Sequence, residues 1–81
     1  MGDHVPKVTG KAPPQGAALG ARCRWYREQA GISQERLADI LAMSQQGLSQ
    51  WELDKHPYPD WAVSRLAQAC RVSVRKLRGA L

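Results

Sequence analysis

No apolar run in the 81-residue chain is long enough to span a bilayer, and no signal-peptide core follows its N-terminus. The expectation is a cytoplasmic protein with no membrane partner. The opening "MGDHVP" also lacks the Ser or Thr that a myristoylation signal carries at its sixth position. Cysteine is scarce, and Cys23 and Cys70 stand too far apart for a disulfide framework or a zinc module. Neither His4 nor His56 lies at ligand spacing with them, so no metal and no cofactor is expected. Both cysteines fall on apolar helical stripes, where a buried reduced thiol is the natural state. No nucleophile–base pair stands at workable spacing, so an enzyme is not expected. Strand-period alternation is missing too, as are internal repeats.

Acidic residues are the other scarcity. Seven Asp and Glu face twelve Lys and Arg, for a net charge of +5, and no acid follows Asp60. A small basic domain suits an anionic partner such as nucleic acid.

Residues 1–16, "MGDHVPKVTGKAPPQG", hold three prolines, three glycines and two lysines without periodicity. They are expected to form a flexible basic arm, with Lys7 and Lys11 available to phosphate. Residues 17–81 are expected to form one domain. Leu19, Cys23, Tyr26 and Ala30 recur at helical steps and predict a first helix, which Gly31 ends. Ser33 caps a second, with Glu35 in its first turn and Leu37, Ala38 and Leu41 inward. Ser44 begins a third, whose Leu48 and Trp51 point inward and leave Gln45, Gln46, Ser49 and Gln50 outside. Pro57 and Pro59 make "DKHPYPD" a connector. Asp60 is then expected to cap a fourth helix, with Val63, Leu66, Ala67 and Cys70 inward. Ser73 caps a fifth, with Val74, Leu77 and Leu81 inward. The fold expected is all-α, five short helices around one core.

Two short helices joined by a tight turn, the second apolar inside and polar outside, form a helix-turn-helix pattern. The stretch "LGARCRWYREQAGISQERLADILAMSQQGLSQWE" resembles the DNA-binding domain of the phage repressor and Cro class, the XRE-type helix-turn-helix. The resemblance rests on Leu19-Gly20, Arg27, "GISQERLA" at 31–38, Ser44, Leu48, Ser49 and the "WE" at 51–52. "CRVSVRKL" at 70–77 is similar to the closing segment of that class. Together these cover about residues 17–81.

The resemblance implies that the helix starting near Ser44 enters the major groove of double-stranded DNA. Gln45, Gln46, Ser49 and Gln50 then become base-reading candidates, since a Gln amide offers a donor and an acceptor together to adenine. It implies phosphate contacts from Gln34, Ser44, Lys55, His56, Tyr58 and Arg24. It also implies a structural ion pair between Arg27 and Glu52. A homodimer reading a palindromic operator follows, in a bacterial or phage-encoded repressor with no small-molecule ligand. The sequence departs from the class at Ala42, where glycine is common and where a positive φ would strain alanine. It departs again after Glu52, where Asp54 is the expected left-handed residue. Gly47 admits two readings, close approach to the groove or close packing on the second helix.

A different class of function stays open. Trp25 points away from the stripe of its helix, expected to be covered by a segment such as the arm, or to anchor a protein partner. With the basic C-terminal face (Arg71, Arg75, Lys76, Arg78), it would make the chain a protein-interaction module. The uncharged polar centre of "QQGLSQ" favours DNA instead.

Overall fold

The computed structural model describes residue 13 and residues 16–79. The expectations for Lys7, Lys11 and His4, and for Leu81, fall outside those residues. Among the described residues every regular element is a helix: α1 (Leu19–Gln29), α2 (Gln34–Ile40), α3 (Gln45–Glu52), α4 (Asp60–Cys70) and α5 (Val74–Arg78). None is long and apolar enough to cross a membrane.

Three helices start by one device. Ser33, Ser44 and Ser73 take extended backbone angles, and each hydroxyl accepts from the N–H three residues on, at 3.0 Å. Each bond satisfies a donor the helix cannot, and is worth about 1 kcal/mol. The helices also end alike. After α1, α2, α3 and α4 the chain turns through a left-handed residue: Gly31 (φ +73°), Ala42 (+56°), Asp54 (+60°) and Arg71 (+60°). In each case the next N–H reaches back to close the last turn: Ile32 to the Arg27 carbonyl, Met43 to Ala38, Lys55 to Gln50 and Val72 to Ala67. Only one of the four is glycine, so the other three carry backbone strain of about 1 kcal/mol each.

The helix faces close on a core of Cys23, Tyr26, Leu37, Ala38, Leu41, Leu48, Tyr58, Ala62, Val63, Leu66, Ala67 and Leu77. α1 lies at the centre, packed on α3, α4 and α5, while α2 packs on α3 and α5 on α4. Leu37, Leu48, Leu66 and Leu77 are fully enclosed, each contributing about 1.5–3 kcal/mol by leaving water. Cys23 and Cys70 are free thiols. Burial pushes the Cys23 thiol up to about 12, so it stays protonated and behaves as a small apolar side chain.

Three expectations are corrected. Asp60 does not cap α4; Pro59 occupies the cap position and Asp60 is the first helical residue, where its carboxylate favours the dipole and pairs with Arg78 of α5. Ala30 is exposed because α1 ends just before it. Val74 also faces solvent, leaving Leu77 as the buried residue of α5.

α1 lacks a side-chain cap at Ala18, and the help comes from far along the chain. The Gly20 N–H donates to Asp54 Oδ1 at 2.8 Å, tying the first turn of α1 to the end of α3. The approach leaves no room for a side chain. A Cβ on Gly20 would run into the Trp51 carbonyl oxygen and stand 2.6 Å from Asp54 Oδ1. Gly20→Ala is therefore expected to destabilise the fold by about 1–3 kcal/mol. Urea denaturation would show a lower midpoint at unchanged m-value, and an unshifted midpoint would refute the tight contact.

Candidate nucleic-acid interface

α2 and α3 are joined by the tight turn 41–44, and α3 turns two faces in different directions. Inward, Leu48 and Glu52 are buried and Trp51 packs on the core. Outward, Gln45 and Gln46 are exposed on the first turn, with Ser49 and Gln50 half-buried behind them. All four groups facing out are amides or hydroxyls, able both to donate and to accept.

Beneath this face sits a buried ion pair. Arg27 Nε donates to Glu52 Oε2 at 2.7 Å and Arg27 Nη2 donates to Glu52 Oε1 at 3.1 Å, a two-pronged contact between α1 and α3. The remaining nitrogen, Nη1, donates to the Ile32 carbonyl in the α1–α2 turn at 2.8 Å. One guanidinium thus fixes three parts of the fold. Their side chains are 8% and 2% exposed, so neither charge is left to water.

Gln34, at the start of α2, joins the same network. Its Nε2 donates to Glu52 Oε1 at 3.0 Å, and its Oε1 accepts from Gln45 Nε2 at 3.2 Å. The amide expected to hold phosphate therefore links the ion pair to the first residue of α3. Ser44 has its oxygen engaged as the cap of α3. Arg24, Arg27, Gln34, Ser49, Glu52 and Leu53 line a hollow of about 300 Å³ beside that face. Arg24, exposed at its edge, pairs with Glu28 at 3.2 Å. Lys55 and His56 are exposed on the turn that follows α3.

Tyr58 is a correction. Expected at phosphate, it is a core residue 6% exposed, tilted against Trp51 with ring centroids 5.2 Å apart. Its hydroxyl is enclosed, and burial pushes the phenol well above its ordinary pKa. A side chain packed this way has no reach to a phosphate.

Trp25 is half-buried, packed on the core and set edge-on to Tyr26 at 5.0 Å. Much of the surface that would anchor a partner is already covered. Trp61, not singled out by sequence, is the more exposed tryptophan, 51% accessible and edge-on to Trp51 at 6.0 Å. Its position at the start of a helix after two prolines gave no periodic signal. Gly47 packs against neither backbone nor α2; a Cβ there would meet Met43 Cε and Ser44 Oγ, each at 3.1 Å. Close packing on the second helix is therefore not what keeps this residue small.

A short helix pair, a tight turn and a rigidly held second helix with a polar outer face define a helix-turn-helix unit. The family model of the helix-turn-helix domain matches residues 18–81, and the chain belongs to that family. Solved structures agree and are of the phage-repressor type. The clp gene regulator ClgR from C. glutamicum is 27% identical, with a TM-score of 0.67 over 74% of this chain and 78% of that one. The master regulator for biofilm formation SinR, in complex with DNA, is 27% identical, with a TM-score of 0.63 over 73% and 95%. The P22 c2 repressor, in complex with a synthetic operator, is 26% identical, with a TM-score of 0.64 over 75% and 92%. Among curated proteins none matches the chain.

The ion pair is expected to behave as a unit. Arg27→Met or Glu52→Leu alone strands a buried charge and is expected to cost about 3–5 kcal/mol. The double variant removes both charges and should cost far less than the sum. A double-mutant cycle with negligible coupling would refute this account.

Proposed function

We propose that the chain is a sequence-specific DNA-binding transcriptional regulator, a repressor that works as a homodimer on a palindromic operator. α3 lies in the major groove of double-stranded DNA, where Gln45, Gln46, Ser49 and Gln50 meet base edges. Lys55, His56 and Arg24 meet the phosphates on either side, and Ser44 and Gln34 approach the backbone from the helix starts. The observation that carries this reading is the uncharged, hydrogen-bonding outer face of α3 on a helix anchored by a buried ion pair. Support comes from two structural relatives, since the P22 c2 repressor is seen on a synthetic operator and SinR on DNA. The basic balance of the chain suits the same partner.

A protein-interaction role through Trp25 is less well supported, because that indole is partly spent on Tyr26. Selection of bound DNA from a random pool tests the proposal. A palindrome is expected to emerge, and no enrichment would sink it.

Affinity and choice should separate. Gln46→Ala is expected to weaken the selected site about tenfold while leaving random DNA nearly unchanged, as loss of one base contact requires. Equal loss on all sequences would remove Gln46 from the reading face. Lys55→Ala should instead weaken both, and make the slope of log K against log salt shallower by about one. An unchanged slope would show that Lys55 touches no phosphate.

A further inference from the structure

The surplus of positive charge lies away from α3. From Leu19 to Pro59 five cations stand against five acids, with no net charge, and from Asp60 to Arg78 five cations stand against one, for a net +4. In the first stretch Arg27 is buried against Glu52, Arg24 pairs with Glu28, and Arg22 donates to the Leu77 and Lys76 carbonyls. In the second, Arg71, Arg75, Lys76 and Arg78 crowd into eight residues on α5 and the turn before it, all exposed, with Arg78 neutralised by Asp60. α5 packs on α1 and α4, whereas α3 packs on α1 and α2. Gly20 and Arg27 of α1 meet the end of α3, while Arg22 and Tyr26, on another side of the same helix, meet the carbonyls of α5. Neighbouring helix axes lie about 8–10 Å apart, and charge is screened over about 8 Å at physiological salt. Cations held on α5 therefore add little attraction for an anion on α3. They repel one another where they stand, and an anion that meets them there relieves the repulsion.

We propose that Arg71, Arg75 and Lys76 form a second phosphate-binding surface, which holds a duplex other than the one on α3, so that the protein bridges two DNA segments. The inference rests on the reading of α3 as the groove helix. Phosphate, rather than an acidic protein, is the anion this surface fits. A protein partner packs on an apolar centre ringed by polar groups. Here the exposed apolar side chain is Val74, only 36% accessible, and Trp61 leans the other way, edge-on to Trp51 of α3. An arginine guanidinium presents paired donors that match two oxygens of one phosphate, whatever the bases beside it. One duplex does not serve both surfaces. DNA is stiff over about 150 base pairs, and a straight segment laid on α3 does not turn round α1 to reach α5. α3 then supplies the choice of site, and α5 holds a neighbouring segment without sequence preference.

The test uses the full chain, a bead-bound duplex carrying the selected operator and a free labelled duplex of random sequence. At about 50 mM salt the parent is expected to hold the labelled duplex on the bead. The triple variant Arg71→Asn, Arg75→Gln, Lys76→Gln should bind the operator within about twofold of the parent and retain about tenfold less labelled duplex. Its log–log salt slope for retention should be shallower by about three. Asparagine suits the positive φ of residue 71. If the triple variant lowers the urea midpoint, the pair Arg71→Asn, Lys76→Gln makes the same comparison, with a slope shallower by about two. Retention that the variants match would place the second duplex on the α3 of another copy and overturn the proposal. Operator binding that falls as far as retention would put both contacts on one duplex, and would overturn it too. A labelled polyglutamate peptide held more tightly than the duplex would assign the surface to an acidic protein instead. An operator bound without a second duplex would overturn the bridge and leave the functional reading standing. A pool with no enriched sequence would overturn both.

Discussion

The pairing of Arg27 with Glu52 is the constraint on which the rest of the structure depends. A charge pair this deep is not a large net source of stability, because desolvating two ions offsets most of their attraction. What it supplies is geometry. The guanidinium is planar and its donors are fixed in direction, so a two-pronged contact sets both distance and angle between α1 and α3. Its third contact, to the Ile32 carbonyl, sets where α2 begins. Apolar packing around Leu37 and Leu48 tolerates small slides; a buried bidentate pair does not. The orientation of α3 is therefore decided by electrostatics and the stability of the bundle by the leucines.

A second long-range tie reinforces the first. Asp54 serves two neighbours at once: its left-handed backbone closes α3, and its carboxylate takes the Gly20 N–H that α1 leaves unpaired. The end of α3 is thus held to α1 at two points, Glu52 and Asp54, with one residue between them. That explains why Gly20 has no Cβ and why the turn after α3 is entered through an aspartate. Its side chain is short enough to reach a neighbouring backbone, and aspartate tolerates the left-handed region better than most residues.

Helix positions were legible in the sequence because three of the five starts carried a serine and the inward faces kept a helical period. The ends were less so. Gly31 announced its turn, whereas Ala42 and Asp54 could be inferred only from a resemblance, and Arg71 not at all. An arginine with positive φ has no compositional signature; the hydrogen bond from Val72 to Ala67 makes it necessary. Among the site residues, Arg27 and Glu52 were legible as a pair. The two bonds of Gln34 were not, because a polar residue at a helix start reads the same whether it faces phosphate or carboxylate. Tyr58 misled for the opposite reason. A tyrosine between prolines reads as surface, while its ring was needed to close the core beside Trp51.

Charge and choice are separated in space on this surface. A lysine or arginine on the outer face of α3 would gain attraction from any phosphate, whatever the sequence beside it. Neutral amides gain little until donor and acceptor meet a matching base edge, so their worth depends on alignment. Alignment is what the buried pair provides, through the angle of α3 and through the bonds that run from Glu52 to Gln45. On the proposed reading, a loosened pair would leave Lys55 and His56 exposed where they are, still able to attract DNA, while the amides lost their register. On that same reading, discrimination between sequences would fail before binding did. The proposed recognition thus depends on two residues, Arg27 and Glu52, that are themselves buried.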